Sequence, residues 1–171
     1  MGKNIPVISI VGVHNSGKTT FIENLIRILS EKGYKIGAVK HDPKGKAKTD
    51  TPGKDSYRMF SAGAKQVILA SPKKITSYIS DEDYDPSDII KNYMISGLDL
   101  IIIEGFKSYR GSDKFEVIRR EENRDLVLSE KDGLVGVITD YYDYPVRFDI
   151  NKPEEFALYI EKHYINSEKH I

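Results

Sequence analysis

Short apolar runs alternate with stretches of helical periodicity along most of the chain, the pattern of an α/β domain with a mainly parallel sheet flanked by helices. Residues 5–11 (IPVISIV) form the first expected strand. Residues 18–32 form a helix, with Phe21, Ile22, Leu25, Ile26 and Leu29 on one face and Gly33 as its stop. A second strand is expected over 35–40, a helix over about 54–62, and two short strands over 66–70 and 75–79 that pair as a hairpin. After the break DEDYDPSD come a helix over 89–95 and then the most apolar strand, 98–103, expected to be buried on both faces. Strands over 115–119 and 134–139 follow, and a last helix starts near NKPEEF and runs to about Tyr164, with Phe156, Ile160 and Tyr164 in register. No repeat, low-complexity tract or domain boundary interrupts this, so residues 1–171 are expected to form one domain.

The first strand runs into GVHNSGKTTF, residues 12–21, and the expected helix begins inside it. Gly12, Gly17, Lys18 and Thr19 satisfy G-x-x-x-x-G-K-[ST] between a strand and a helix, which is the context a phosphate-binding loop needs. Glycines let successive backbone N–H groups turn onto phosphate oxygens at a helix N-terminus. Lys18 then reaches the β- and γ-phosphates and the Thr19 hydroxyl ligates Mg²⁺. Asn15, Ser16 and Thr20 complete the nucleotide-binding stretch. The expected fold class is therefore a P-loop NTPase-like α/β domain.

Open parallel sheets bind ligands beyond the carboxyl ends of their strands. The expected strands end in the phosphate loop, in Lys40-His41-Asp42, in Glu104-Gly105 and in Asp140. Asp99 and Glu104 stand at opposite ends of one strand, roughly 17 Å apart when extended, so only Glu104 reaches the ligand edge. It is the candidate to hold Mg²⁺ or its water, or to orient an attacking water. Asp99 caps the strand entrance. Asp42 is either a second carboxylate near the metal or the start of a turn before Pro43. His41 is either a loop histidine or a base.

Composition narrows the partners. Lys plus Arg and Asp plus Glu each total 26, so net charge points to neither nucleic acid nor an acidic membrane. The absence of cysteine removes disulfides and thiolate metal sites. The apolar run at 5–11 contains Pro6 and Ser9, too short for a membrane span and unlike a signal peptide. A cytoplasmic location is expected. Within this neutral chain the loop KHDPKGKAKTDTPGKDSYR carries Lys40, Lys44, Lys46, Lys48, Lys54 and Arg58. It suits an anionic second substrate or the nucleotide phosphates, while composition alone slightly favours a solvated surface loop.

GVHNSGKTTF, AVKHD, DTPGKDSYR with SAGA, LIIIEGFK and KFEVIRRE occur in an order that resembles the MobB-type molybdopterin-guanine dinucleotide biosynthesis adaptor proteins, from the first strand to about Asp140. The resemblance implies a homodimeric GTP-binding protein with at most weak GTPase activity, assisting a separate guanylyltransferase that joins GMP to molybdopterin. It implies that Gly17, Lys18 and Thr19 bind GTP and Mg²⁺, and that Glu104 belongs to the metal edge. It also implies that Asp42, Asp55 and a basic set including His41, Lys44, Lys54 and Lys107 face the nucleotide or the anionic pterin. The guanine-reading Asn/Thr-Lys-x-Asp element is missing in its usual form. Asn151-Lys152-Pro153-Glu154 comes close, yet Pro153 followed by two glutamates is a helix start. Asp140 is better placed to accept hydrogen bonds from a guanine edge. The alternative is a small-molecule or nucleotide kinase, with Lys107, Arg110, Lys114, Arg119 and Arg120 as an anion-clamping lid; against it, FEVIRR alternates like a strand. A third reading, a metal-delivery GTPase, lacks cysteines and a histidine cluster.

Overall fold

A computed structural model describes residues 5–81, 83–141 and 143–167. Their contacts group into two compact units, one built from the chain up to His41 together with the chain from Pro86 onward, the other from Asp42–Asp85.

The larger unit is built on a six-stranded sheet. In chain order its strands are β1 (Val7–Gly12), β2 (Ile36–Lys40), β5 (Leu100–Glu104), β6 (Asp113–Ile118), β7 (Leu134–Thr139) and β8 (Arg147–Asp149). Their spatial order is β2-β5-β1-β6-β7-β8, and every pairing is parallel. Helices α1 (Lys18–Glu31), α3 (Pro86–Tyr93) and α4 (Pro153–Ile160) accompany it. All four strand ends singled out by sequence thus share one edge, because parallel strands carry their carboxyl ends together.

Side-chain alternation sorts the core into two faces. Ile8, Ile10, Leu100, Ile102, Phe115, Val117 and Ile138 pack with Phe21, Leu25 and Leu29 of α1 and Phe156 and Ile160 of α4. Ile101 and Ile103 turn the other way and pack with Val39 and Leu98, against Ile89, Ile90 and Met94. The strand expected to be buried on both faces is buried on both. Phe156 anchors the first cluster, with the rings of Phe115 and Phe148 edge-on at 4.9 and 4.8 Å.

Two features differ from the expected pattern. The three residues of β8 are too few for periodicity to reveal, and only the pairing with β7 makes them a strand. The last helix begins at Pro153 as its Pro-Glu-Glu start predicts, but from Glu161 to Ile165 it widens into a π-helical turn. The segment that the kinase alternative would use as a lid is fixed in part, as its strand-like alternation predicts. β6 lies between β1 and β7, and Lys114 is 1 % exposed with its ammonium on the Asp132 carbonyl at 2.6 Å, so neither is free to close over a ligand.

The second unit contains α2 (Asp55–Ser61) and the expected hairpin, β3 (Gln66–Ser71) antiparallel to β4 (Lys74–Ile79). Val67 is its buried apolar residue, whereas Ile68, Leu69 and Ile75 stay exposed. Among the described residues no helix is long and apolar enough to cross a membrane.

Candidate nucleotide-binding site

The chain leaves β1 at Gly12 with a φ of 150°, passes Asn15 at 61°, and enters α1 through Gly17 at 90°. A Cβ at Gly12 would stand 2.6 Å from the Val117 carbonyl oxygen, and Gly17 sits in left-handed backbone that a side chain would strain. These two glycines therefore let the loop lie against β6 and then turn its amides toward the helix axis. No side chain caps α1 and its first turn carries no carboxylate. The helix start is thus open to an anion that the backbone N–H groups and helix dipole would favour.

Lys18, the first residue of α1, folds back over this loop, its ammonium donating to the Val13 carbonyl and, at 3.3 Å, to the Ser16 hydroxyl. Burial pushes its pKa below the ordinary lysine range, offset in part by Glu104, while the ammonium groups of Lys107 and Lys40 push it further down. A cation held in a partly desolvated cradle without a full anionic partner is what a phosphate would relieve.

The next residue faces the expected metal edge. The Thr19 hydroxyl donates to Glu104 Oε1 at 2.9 Å, and the Lys40 ammonium lies 2.7 Å from the same oxygen. Glu104 ends β5, next to β1, with its backbone paired to Ile10 on one side and Lys40 on the other. A hydroxyl and a carboxylate converging from two elements, with a monocation already beside them, suit Mg²⁺, which takes one or two protein oxygens and fills its remaining positions with phosphate and water. Together His14, Asn15, Gly17, Lys18, Thr19, Thr20, Lys40 and Glu104 line a cleft of about 340 Å³.

On the other side of the loop, Arg119 spans two expected site residues. Its guanidinium lies where a Cβ at Gly17 would meet it at 3.2 Å, and it stands 3.7 Å from Asp140 Oδ2. The Arg120 amide donates to Asp140 Oδ1 at 2.8 Å. Asp140 is therefore at the ligand edge with both oxygens engaged. The ring of His41 stacks on Phe106 at 3.9 Å, beside Gly105. Asp99 lies at the opposite edge, exchanging hydrogen bonds with Lys35 of 2.8 and 2.9 Å, as the entrance role predicts.

Asp42, Lys44 and Lys54 belong to the second unit. There the Asp42 carboxylate accepts from the Ala47 amide at 2.6 Å and its carbonyl from the Gly45 amide at 3.0 Å, so it organises a turn. Lys54 precedes α2 as its N-cap. Two edge residues were expected in other roles: Lys40 as part of the basic loop, and Arg119 as part of the lid of the kinase alternative. The signal for Lys40 was its place at the carboxyl end of an expected strand.

A six-stranded parallel sheet with this loop at the end of a central strand is a P-loop NTPase fold. The family model for molybdopterin guanine dinucleotide synthesis protein B, MobB, matches residues 7–140. A Haemophilus influenzae protein described as a molybdopterin-guanine dinucleotide biosynthesis adapter protein is 32% identical over 169 residues, 94% of this chain and 90% of its own. A Bacillus subtilis protein described as a probable adapter of the same kind is 32% identical over 134 residues, 78% of this chain and 75% of its own. A solved structure of Bacillus subtilis MobB superposes with a TM-score of 0.71 at 27% identity, covering 92% of this chain and 97% of that one. The chain belongs to the MobB family.

Proposed function

We propose that this protein is a GTP-binding adaptor in molybdopterin guanine dinucleotide biosynthesis, working beside a separate guanylyltransferase that attaches GMP to molybdopterin. The observation that carries the nucleotide part is the pairing of an uncapped helix start, the folded-back Lys18 and the Thr19–Glu104 pair in one cleft. The adaptor part rests on family membership and on the names of the relatives.

In this reading the backbone from Gly12 to Thr20, with Asn15 and Ser16, wraps the phosphates. Lys18 leaves the Val13 carbonyl for the β- and γ-phosphates, and Thr19 and Glu104 hold Mg²⁺. The metal would neutralise phosphate charge and fix the triphosphate's orientation. Glu104 is then occupied as a metal-edge ligand, which leaves little to activate water and fits slow or absent hydrolysis. The metal edge lies on the β5–β2 side of β1, so the nucleoside extends toward β6 and β7, where the Asp140 oxygen facing Arg119 exchanges that side chain for the guanine edge. Asp140→Ala is accordingly expected to reduce the preference for GTP over ATP; an unchanged ratio removes Asp140 from base reading.

His41 and Lys107, in the larger unit, are proposed contacts to the anionic pterin or the nucleotide, and Lys44 and Lys54, in the second unit, are proposed as anion contacts in their own right. A homodimer formed through the exposed apolar hairpin residues Ile68, Leu69 and Ile75 would shield them from water, and light scattering at micromolar concentration tests it. The working compartment is the cytoplasm. The central test is calorimetric titration with GTP and with ATP, each with Mg²⁺, followed by an overnight phosphate-release assay. GTP preference with almost no release supports the adaptor. ATP preference, or fast turnover with added acceptors, overturns it in favour of a kinase.

A further inference from the structure

We propose that Lys40 occupies the metal position of the nucleotide-free protein and competes with Mg²⁺ for Glu104. The inference rests on the proposed function in one respect, that the cleft takes a nucleoside triphosphate with Mg²⁺.

The pairing is built into the sheet. Lys40 and Glu104 are the last register partners of β2 and β5, so both project from the same strand ends. The Lys40 ammonium lies 2.7 Å from Glu104 Oε1 and 3.5 Å from the Thr19 hydroxyl, which itself donates to that same oxygen at 2.9 Å. A single positive charge therefore sits against the two oxygens that Mg²⁺ would need. It cannot remain there when the metal arrives, because a divalent cation at those oxygens repels an ammonium a few ångströms away.

Lys40 is also free to leave. Its side chain is 61 % exposed, while that of Glu104 is 15 % exposed. Rotating the lysine into water breaks no core packing, and Glu104 stays in place. Lys18 contrasts with it: half-buried and folded onto the loop, it awaits phosphate rather than metal. Lys40 contacts Glu104, and the Lys18 ammonium nearby feels that carboxylate together with the like charges of Lys40 and Lys107. This crowding disfavours a free divalent cation and favours one that arrives with the four negative charges of a triphosphate. Lys40 thus makes metal entry conditional on nucleotide.

The test is Mg²⁺ titration at a fixed concentration of a fluorescent GTP analogue, with wild type, Lys40→Gln and Lys40→Arg. Removing one charge-assisted contact to Glu104 is expected to lower the half-saturating Mg²⁺ concentration of Lys40→Gln by roughly three- to tenfold. Lys40→Arg keeps a cation at the site and stays near wild type. In a Glu104→Gln background the Lys40 substitution should lose its effect, since the two act on one interaction. An unchanged or raised Mg²⁺ requirement in Lys40→Gln overturns the inference alone, the raised value marking Lys40 as a phosphate ligand instead. A wild-type chain with no Mg²⁺-dependent nucleotide binding overturns the proposed function and this inference with it.

Discussion

Two glutamates flank β1 on its neighbouring strands, and they are held in opposite ways. Glu104 ends β5, and among the described residues its carboxylate meets side chains, the Thr19 hydroxyl and the Lys40 ammonium. Glu116, in β6, is fully buried and meets backbone: it accepts from the amides of Val127 and Leu128 at 2.9–3.0 Å and from Arg124 at 2.8 Å. Arg124 is in turn held by Glu122 at 2.7 Å. Backbone donors are fixed by the chain path, so a carboxylate they saturate is committed to structure. Side-chain donors can rotate away, so a carboxylate they satisfy remains available to a ligand. The same residue type on either side of β1 is thereby committed to the fold in one place and left at the candidate site in the other.

Removing Glu116 gives the largest expected effect. Glu116→Ala strands the Val127 and Leu128 amides and breaks a buried pair, which costs about 3–5 kcal/mol. For a chain of this size that is a fall in Tm of roughly 10 °C, readable by thermal unfolding. A loss of 2 °C or less would show that the segment after β6 is not held by this carboxylate.

Lys18→Met comes next and moves a different quantity. Nucleotide affinity should fall by about 100-fold through loss of charge-assisted bonds to phosphate. The nucleotide-free fold should keep its Tm or gain slightly, because the native state no longer carries a partly desolvated ammonium. Calorimetry and unfolding on one sample check both halves, and wild-type affinity in the variant would remove the phosphate-loop argument. Glu104→Gln is expected to be milder: a Tm within about 3 °C of wild type, with the Mg²⁺ enhancement of GTP binding reduced by roughly tenfold. If Glu104→Gln unfolds the protein as Glu116→Ala does, the contrast between the two carboxylates is wrong.

The availability of Glu104 was legible in the sequence and the commitment of Glu116 was not. An apolar run, LDLIII, ends in Glu104, and in a parallel sheet the end of such a run is a ligand edge whatever the loops do. The phosphate loop was legible for the same reason, since its glycines, lysine and threonine are tied to a strand-turn-helix that periodicity already gave. Glu116 sits within an alternating strand, FEVIRR, where a polar residue ordinarily faces water. What buries it is an irregular stretch of chain reaching Leu128, whose path no periodicity encodes. Lys40 was visible as a charge, but its pairing with Glu104 depends on β2 lying beside β5, a matter of strand order. The short β8 and the π-helical end of the last helix likewise arise from tertiary pairing and packing.

The smallest expected effect concerns a third buried charge, Lys114, again in β6, which tests whether backbone partnership alone commits a charge to structure. Its ammonium reaches the Asp132 carbonyl at 2.6 Å, and burial pushes its pKa below the ordinary lysine range. A base whose pKa is lowered on folding binds fewer protons in the native state than unfolded. Its contribution is therefore unfavourable at neutral pH and is relieved as pH rises through the lowered pKa toward the unfolded value. Lys114→Met keeps the length of the side chain and removes the charge, at the loss of one bond to a carbonyl. The two changes oppose each other, and the net effect at pH 7 should lie within about 1 kcal/mol of zero. The variant's standing relative to wild type should then worsen as pH is raised from 7 to 9.5, because wild type gains what the variant never lacked. Urea unfolding of both proteins at the two pH values reads the difference. A gap that widens in the variant's favour would mean that the Lys114 ammonium is stabilised by its surroundings, and that one carbonyl commits a charge as firmly as the amides around Glu116 do.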